Sequence, residues 1–122
     1  PEERENWFTT VAFAPDSQTL ATFSQEPREI VIWNREGEAL RRWFVEGAGE
    51  ITNLEFSPDG NWLAAGGDQA PVQLWLLSDD EPEERDLSDS VGNIITFSED
   101  GEEIYVGNRS GDITAWSLDE FT

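Results

Sequence analysis

The stretch that decides the fold is FSPDGNWLAAGGDQAPVQLW, from Phe56 to Trp75. Its Pro-Asp-Gly segment is typical of a tight turn, because Pro presets φ, Asp accepts hydrogen bonds from the nearby backbone and Gly tolerates a positive φ. The apolar residues around this turn alternate with small or polar ones, a period of two that indicates half-buried β-strands. The segment therefore predicts a strand, a turn, a second strand and, after a loop, a third strand that ends at Trp75.

This pattern occurs three times along the chain, in the same order and at nearly constant spacing. The intervals are 43 and 41 residues for the Phe that ends the first strand, and 42 and 41 for the Trp that ends the third. The equivalent positions are Phe13, Phe56 and Phe97, then Trp33, Trp75 and Trp116, then the turn residues Asp16, Asp59 and Asp100. The turn is expected to form less well in the first repeat, where Ser17 stands in place of a glycine. A unit of about 41–43 residues built from short antiparallel strands is typical of a β-propeller blade.

The remaining strands of each repeat are predicted from the same periodicity. The second strand is expected at Thr19–Phe23, Trp62–Ala65 and Glu103–Val106. A fourth strand is expected at Ala39–Phe44, with a weaker one at Arg85–Leu87. Only six residues follow the last repeated Trp, so the fourth strand of the third repeat is expected to come from another chain or from missing sequence. Little helix is expected, because apolar residues at helical spacing with caps are not sustained anywhere.

At these positions the chain resembles the WD40-repeat family, and the likeness extends from about Trp7 to Leu118. The resemblance implies an all-β fold, a partial β-propeller of three four-stranded antiparallel blades. The chain would then be one segment, 1–122, with blade repeats at approximately 7–45, 48–87 and 91–118. A related propeller family that uses an Asp-Gly turn is the alternative.

Two departures from the family pattern affect how the blades are expected to hold together. The Trp-Asp dipeptide that names the family is replaced in all three repeats, and its Gly-His pair is impossible because the chain has no His. The buried network of Asp, His, Ser or Thr and Trp that family members often carry is therefore expected to be incomplete. Apolar packing between the sheets is expected to compensate.

Three blades are too few to close a ring, since known propellers have about four to eight. An isolated arc would expose two apolar blade faces, which is more apolar surface than a soluble monomer usually shows. The ring is therefore expected to be completed by another chain or by missing sequence. Either the segment belongs to a longer propeller, or two copies assemble head to tail into six blades.

Composition excludes several classes of function. The chain has 27 acidic and seven basic residues and a net charge of −20, so binding to nucleic acid or to an anionic membrane is not expected. It has neither Cys nor His, so it lacks the usual nucleophile–base pairs and the commonest transition-metal ligands. No enzyme activity, cofactor or metal site is predicted, and a carboxylate-based hydrolase or a metal-binding propeller is kept only as an alternative.

The function that the resemblance implies is a scaffold for protein–protein interaction, with a second copy or the rest of a propeller as the first partner. The candidate partner-binding residues are Arg28 and Arg109, in corresponding loops between strands two and three, and Trp7 and Trp43, which break the repeat pattern. Packing against a neighbouring blade is the other interpretation of Trp7 and Trp43. A designed or excised fragment with no function beyond assembly is a further alternative. A cytoplasmic location is expected.

Overall fold

The computed structural model describes residues 8–25, 27–45, 50–67, 70–78, 82–91, 94–108 and 110–121. Within these ranges the chain forms eleven β-strands and one short 3-10 helix, Leu118–Phe121. The strands are β1 (Phe8–Phe13), β2 (Thr19–Gln25), β3 (Arg28–Asn34), β4 (Ala39–Phe44), β5 (Asn53–Phe56), β6 (Trp62–Gly67), β7 (Ala70–Leu76), β8 (Arg85–Val91), β9 (Ile94–Phe97), β10 (Glu103–Gly107) and β11 (Ile113–Ser117). Every predicted strand is present close to its expected bounds.

The strands form three antiparallel sheets, one for each sequence repeat. Sheet I has the order β1-β2-β3-β4 and sheet II the order β5-β6-β7-β8, while sheet III contains β9, β10 and β11. The all-β prediction is confirmed, and the described part of sheet III has three strands, as expected from the short sequence after Trp116. The weak fourth strand of the second repeat is longer than predicted, since β8 continues to Val91.

A buried hydroxyl holds the turn between β5 and β6. Ser57 is fully buried, and its Oγ donates to Asp59 Oδ1 at 2.6 Å and accepts the amide of Trp62 at 3.0 Å. Asp59 Oδ1 also accepts the amide of Asn61 at 2.9 Å, and Gly60 has a φ of +78°. Desolvation raises the pKa of Asp59, but the hydrogen bonds from Ser57 and Asn61 outweigh it, so the net pKa lies below the ordinary 3.8.

The turn between β9 and β10 repeats this arrangement in a more exposed setting. Ser98 Oγ donates to Asp100 Oδ1 at 2.6 Å and accepts the amide of Glu103 at 3.1 Å. Asp100 Oδ1 also accepts the amide of Glu102 at 3.0 Å. The hydrogen bonds from Ser98 and Glu102 lower the pKa of Asp100.

The first turn is the weakest of the three, as predicted. Ala14 occupies the serine position, so Asp16 lacks the hydroxyl donor and accepts the amide of Gln18 at 2.9 Å. Ser17 takes the glycine position with a φ of +59°, in the left-handed region that a side chain disfavours.

The apolar core lies in the two joints where neighbouring sheets pack face to face. The joint between sheets I and II is built from alternate residues of both, and Trp75 at its centre is only 1% exposed. The joint between sheets II and III has the same construction. The first core includes Ala21, Phe23, Ile30, Ile32, Leu54, Phe56, Leu63, Ala65 and Trp75. The second includes Trp62, Ala64, Val72, Leu74, Leu87, Ile95, Ile104, Val106 and Leu118. Sheet II is thus covered on both faces, whereas sheets I and III each have one face packed within the stack.

The repeated tryptophans keep their predicted register but differ in burial. Each pairs across the sheet with the apolar residue that follows the turn: Trp33 with Leu20, Trp75 with Leu63 and Trp116 with Ile104. Repetition in register predicts that all three lie in the core; Trp75 does, whereas Trp33 and Trp116 are only half-buried. Trp33 lies on the face of sheet I that has no neighbouring sheet, so part of its indole stays in contact with solvent.

One hydrogen bond of the network that the resemblance implies is present. Trp33 Nε1 donates to Thr22 Oγ1 at 2.9 Å. Ala65 and Val106 occupy the corresponding positions of the other sheets and have no hydroxyl to offer. This difference agrees with the expectation that the hydrogen-bond networks are incomplete. In the other two repeats apolar packing dominates.

Candidate functional site

The end faces of the sheet stack carry exposed apolar side chains. Because side chains alternate along a strand, the residues between the core positions of sheet I point away from sheet II. We call this surface the first open face; it carries Val11, Phe13, Leu20, Thr22 and Trp33 and contains an apolar groove of about 630 Å³. The last open face is the corresponding outer surface of sheet III, with Ile94, Thr96, Tyr105, Ile113 and Ala115.

Exposure is concentrated on these two end sheets. Among the side chains that the structure describes, every exposed large hydrophobic residue belongs to sheet I or sheet III. Phe13 is 65% exposed, whereas Phe56, its equivalent in sheet II, is 9% exposed inside the first joint. The same residue is thus core in one repeat and surface in another, and the presence of a neighbouring sheet makes the difference.

An arginine from the outer strand of one sheet crosses each internal joint. Arg41 of β4 donates through Nη1 to the carbonyl oxygen of Leu77, which follows β7. Arg85 of β8 donates through Nε to the carbonyl oxygen of Phe121, at the end of the 3-10 helix, at 2.8 Å. Donor and acceptor are 36 residues apart in both cases. Each guanidinium also lies against an indole, Arg41 at 6.0 Å from the Trp43 ring centroid and Arg85 at 5.5 Å from that of Trp62.

Trp43 packs inside the first joint. Its ring centroid is 5.9 Å from that of Trp75, and its side chain contacts the first apolar core. This position favours packing against a neighbouring sheet over direct contact with a partner. Trp7, the other residue that breaks the pattern, lies outside the described residues.

Of the two arginine candidates, Arg28 is the one that the structure describes. It lies at the end of the stack that carries the β2–β3 loop, which we call the loop end of the stack. It begins β3, is half-buried and holds its guanidinium 5.5 Å from the ring centroid of Phe23. Its carbonyl oxygen accepts the amide of Val45 at 2.9 Å, which ties the β2–β3 loop to the segment after β4. Arg109 lies outside the described residues, so the expected correspondence with Arg28 stays a prediction.

The repeated carboxylates do not converge on a metal site in the part of the chain that the structure describes. Within those residues, no three carboxylates approach closely enough to hold a metal ion. Asp16, Asp59 and Asp100 instead serve their own turns. Likewise, no helix among the described ranges has the length and apolar character that crossing a bilayer requires.

Sequence reasoning missed the arginine contacts across the joints. The sequence places Arg41 inside one predicted fourth strand and Arg85 at the start of the weaker one, and it indicates no role for either across a joint. Their acceptors are backbone carbonyls, which every residue has, so no residue type in the sequence marks the partner. Trp43 lies close to Arg41 in the sequence and could have suggested a role for it, whereas Trp62, which lies against Arg85 in the structure, is distant from it along the chain.

The chain has relatives in a known repeat family. Residues 40–70 match the family model described as WD domain, G-beta repeat. The chain is 26% identical over 116 residues to the Periodic tryptophan protein 2 homolog of Schizosaccharomyces pombe, covering 93% of this chain and 13% of that protein. It is 27% identical over 94 residues to the small ribosomal subunit protein RACK1 of Caenorhabditis elegans, covering 76% of this chain and 29% of that protein. The solved C-terminal WD40 domain of Sif2 superposes with a TM-score of 0.76 at 20% identity, over 99% of this chain and 35% of that one.

These matches agree with the three sheets and their repeated turns. The chain spans less than a third of either relative and about a third of the solved domain, so it corresponds to part of a propeller. The predicted partial β-propeller is confirmed: the three sheets have the fold of solved WD40 domains, and residues 40–70 match the WD40 repeat model.

Proposed function

We propose that this chain is a three-blade segment of a non-enzymatic scaffold for protein–protein interaction. The observation that carries the proposal is the apolar surface at both ends of the stack, where Phe13, Phe44, Ile94 and Ile113 are 64–76% exposed. Concentrated apolar exposure of this kind marks contacts between proteins. Further blades, from a longer propeller or from another copy, cover these faces.

The relatives support a role inside an assembly. The name of the Caenorhabditis elegans relative assigns it to the small ribosomal subunit. A rigid propeller suits a place in such a particle because it presents loops in fixed positions. The charge of −20 argues that this segment contacts protein and not the phosphate backbone.

Recognition is geometric in this proposal. The strands fix the loops, and side chains at the loop end of the stack contact the partner. Arg28 suits such a contact because Phe23, which is fully buried, supports its guanidinium. A guanidinium held in this way offers paired N–H donors to a carboxylate of a bound peptide.

A peptide selection tests the proposal. A displayed random peptide library is selected against the immobilised chain, and the selected peptides are measured by fluorescence anisotropy in 0.15 M NaCl. Arg28→Ala and Arg109→Ala are expected to weaken binding about tenfold, which corresponds to about 1.4 kcal/mol. The control is Glu83→Ala, an exposed residue before β8 at the opposite end of the strands, which should leave the affinity unchanged.

Two results would contradict the proposal. One is a selection that yields no saturable binder, which favours a fragment whose only property is assembly. The other is a loss of affinity in Glu83→Ala that matches the loss in Arg28→Ala, because the binding would then not depend on the loop end.

A further inference from the structure

Both internal joints bring the same two repeat positions together. One is the first residue of a sheet's second strand, and the other is the second residue after the repeated Trp of the next sheet. In the first joint these are Thr19 and Leu77, which line one cleft of about 440 Å³. In the second joint they are Trp62 and Leu118, which belong to one apolar cluster. The joint geometry is therefore repeated, and it defines which residues would meet at a third joint.

At the two open faces these positions hold opposite charges. The second strand of sheet III begins with Glu103, and the second residue after Trp33 is Arg35. Both side chains are exposed. Glu103 Oε1 accepts a hydrogen bond from the Tyr105 hydroxyl at 2.9 Å, which fixes the carboxylate at the edge of the last open face.

The last open face also keeps the side-chain volume of a packed face. On the faces of sheets I and II that pack against the next sheet, the central cross-strand pair joins an Ala of the second strand to an Ile or Leu of the third strand. In sheet III the large residue has moved to the second strand and the small one to the third. The pairs are Ala21 with Ile32, Ala64 with Leu74, and Tyr105 with Ala115. The exchange places one large and one small side chain against the next sheet in every case, which preserves close packing.

The first open face offers the matching surface. Phe13 holds the position that Phe56 and Phe97 fill in the two internal joints. By the same repeat, Phe13 would pack against Ala115 and Tyr105 of the sheet that covers it. At the internal joints an arginine of the fourth strand, Arg41 or Arg85, makes the polar contact between the sheets. The described part of sheet III has no fourth strand to supply such an arginine. An ion pair between Glu103 and Arg35 would provide the polar contact across this joint instead.

We propose that the last open face of one copy docks on the first open face of a second copy, with Glu103 of one copy paired with Arg35 of the other. The inference rests on the proposed function, in which further blades cover the open faces, and it assigns those blades to a second copy. Two copies close a ring of six blades, which lies within the range of known propellers.

The net charge opposes this contact but does not decide it. Two chains of −20 repel each other, yet at 0.15 M salt the Debye length is about 8 Å, so most of the repulsion is screened. The Glu103–Arg35 contact is shorter than that length and is screened less. The apolar area around Phe13 supplies the non-directional part of the attraction.

The experiment measures the mass of the chain by light scattering after size exclusion, from 1 to 200 μM in 0.15 M NaCl. The expected mass is twice 13.8 kDa at the high end of this range. Arg35→Glu and Glu103→Arg are each expected to weaken the association at least tenfold, because each puts two like charges together. The double variant restores the pair and should regain most of the loss. Phe13→Glu should give the monomer.

Control measurements separate docking from folding. Glu83→Arg makes the same charge change as Glu103→Arg on sheet II, whose two faces are already covered, and should keep the mass of the unaltered chain. Circular dichroism and the urea midpoint, both measured at low concentration where the chain is monomeric, should be unchanged in every variant, since all the altered residues are exposed.

A monomer at every concentration would overturn the inference, and so would a double variant that is weaker than both single ones. A monomer that still binds selected peptides through Arg28 refutes docking between copies and leaves the proposed function in place. An assembly of two copies that binds no peptide supports docking between copies and contradicts the proposed role in binding a partner.

Discussion

Replacing Ser57 with Ala removes the buried hydroxyl at the turn between β5 and β6. Its Oγ serves as donor to Asp59 and as acceptor for the amide of Trp62, at 2.6 and 3.0 Å. Ser57 is fully buried and Trp62 is 4% exposed, so water has no easy access to that amide. A buried polar group left without its partner costs about 1–3 kcal/mol, and a hydrogen bond to a charged group contributes about 1.5–3 kcal/mol. Asp59 is exposed, so in the variant water solvates its carboxylate and replaces most of the lost hydrogen bond from Ser57. The unpartnered amide of Trp62 then accounts for most of the cost, and we expect a total loss of about 2 kcal/mol.

The third repeat supplies a matched control. Ser98 makes the same two hydrogen bonds, to Asp100 and from Glu103, but it is only partly buried and both of its partners are exposed. Water can replace its hydroxyl there, so Ser98→Ala should cost less than about 1 kcal/mol.

Urea unfolding followed by tryptophan fluorescence measures both losses. The m-value should stay constant, so that the midpoint shift reports stability alone. The reasoning fails if Ser98→Ala costs as much as Ser57→Ala, because burial would then not set the cost. It also fails if Ser57→Ala leaves the midpoint where it was.

Three further predictions concern a joint, a close backbone approach and a turn, and each is tested by urea unfolding of the monomer at low concentration. Trp75→Ala should cost about 3–5 kcal/mol because the indole is buried at the first joint, whereas Trp33→Ala should cost clearly less on the open face, and equal losses would contradict the assigned faces. Gly67→Ala should cost about 3 kcal/mol or more, because its Cβ would lie 1.8 Å from the carbonyl oxygen of Glu50 and the backbone would have to shift; an unchanged midpoint would refute this close approach. The folded-state pKa of Asp59 is lowered, so its contribution is present above pH 3.8 and disappears as pH falls through the lower folded value. The loss in free energy of unfolding caused by Asp59→Asn, relative to the unaltered chain, should therefore become smaller below pH 4. A loss that does not change with pH would be inconsistent with this assignment.

The strands and turns could be predicted from the sequence because local chemistry determines them. The Ser57-Pro58-Asp59-Gly60 turn needs a small hydroxyl, a fixed φ, an acceptor and a positive φ at successive positions, and each requirement selects a residue type. The weaker first turn was predictable for the same reason, since Ser17 has a Cβ at a position with positive φ.

The burial of each repeat could not be predicted from its own residues. Phe13 and Phe56 occupy the same position in the same motif, yet one is 65% exposed and the other 9%. The difference arises from the neighbouring sheet, which is a property of the whole stack. The register of the repeated tryptophans was correct, but the half-burial of Trp33 follows from the same effect of position in the stack.

The candidate site was predicted only in part. Arg28, expected in the loop between strands two and three, is the first residue of β3, while Trp43 turns inward onto Trp75. An aromatic residue on an outer strand has the same sequence context whether it faces solvent or a neighbouring sheet, so periodicity alone could not separate the two interpretations.

The arginine contacts across the joints have a consequence for how blades diverge and can be exchanged. At both joints the acceptor is a main-chain carbonyl, of Leu77 in one and of Phe121 in the other. A substitution at either acceptor leaves the oxygen in place, so this hydrogen bond depends on the donor's side chain and not on the acceptor's. The sequences of successive blades can therefore diverge while this contact between the sheets is kept. A chimera in which one blade is exchanged needs to preserve the arginine in the fourth strand of that blade to keep the contact.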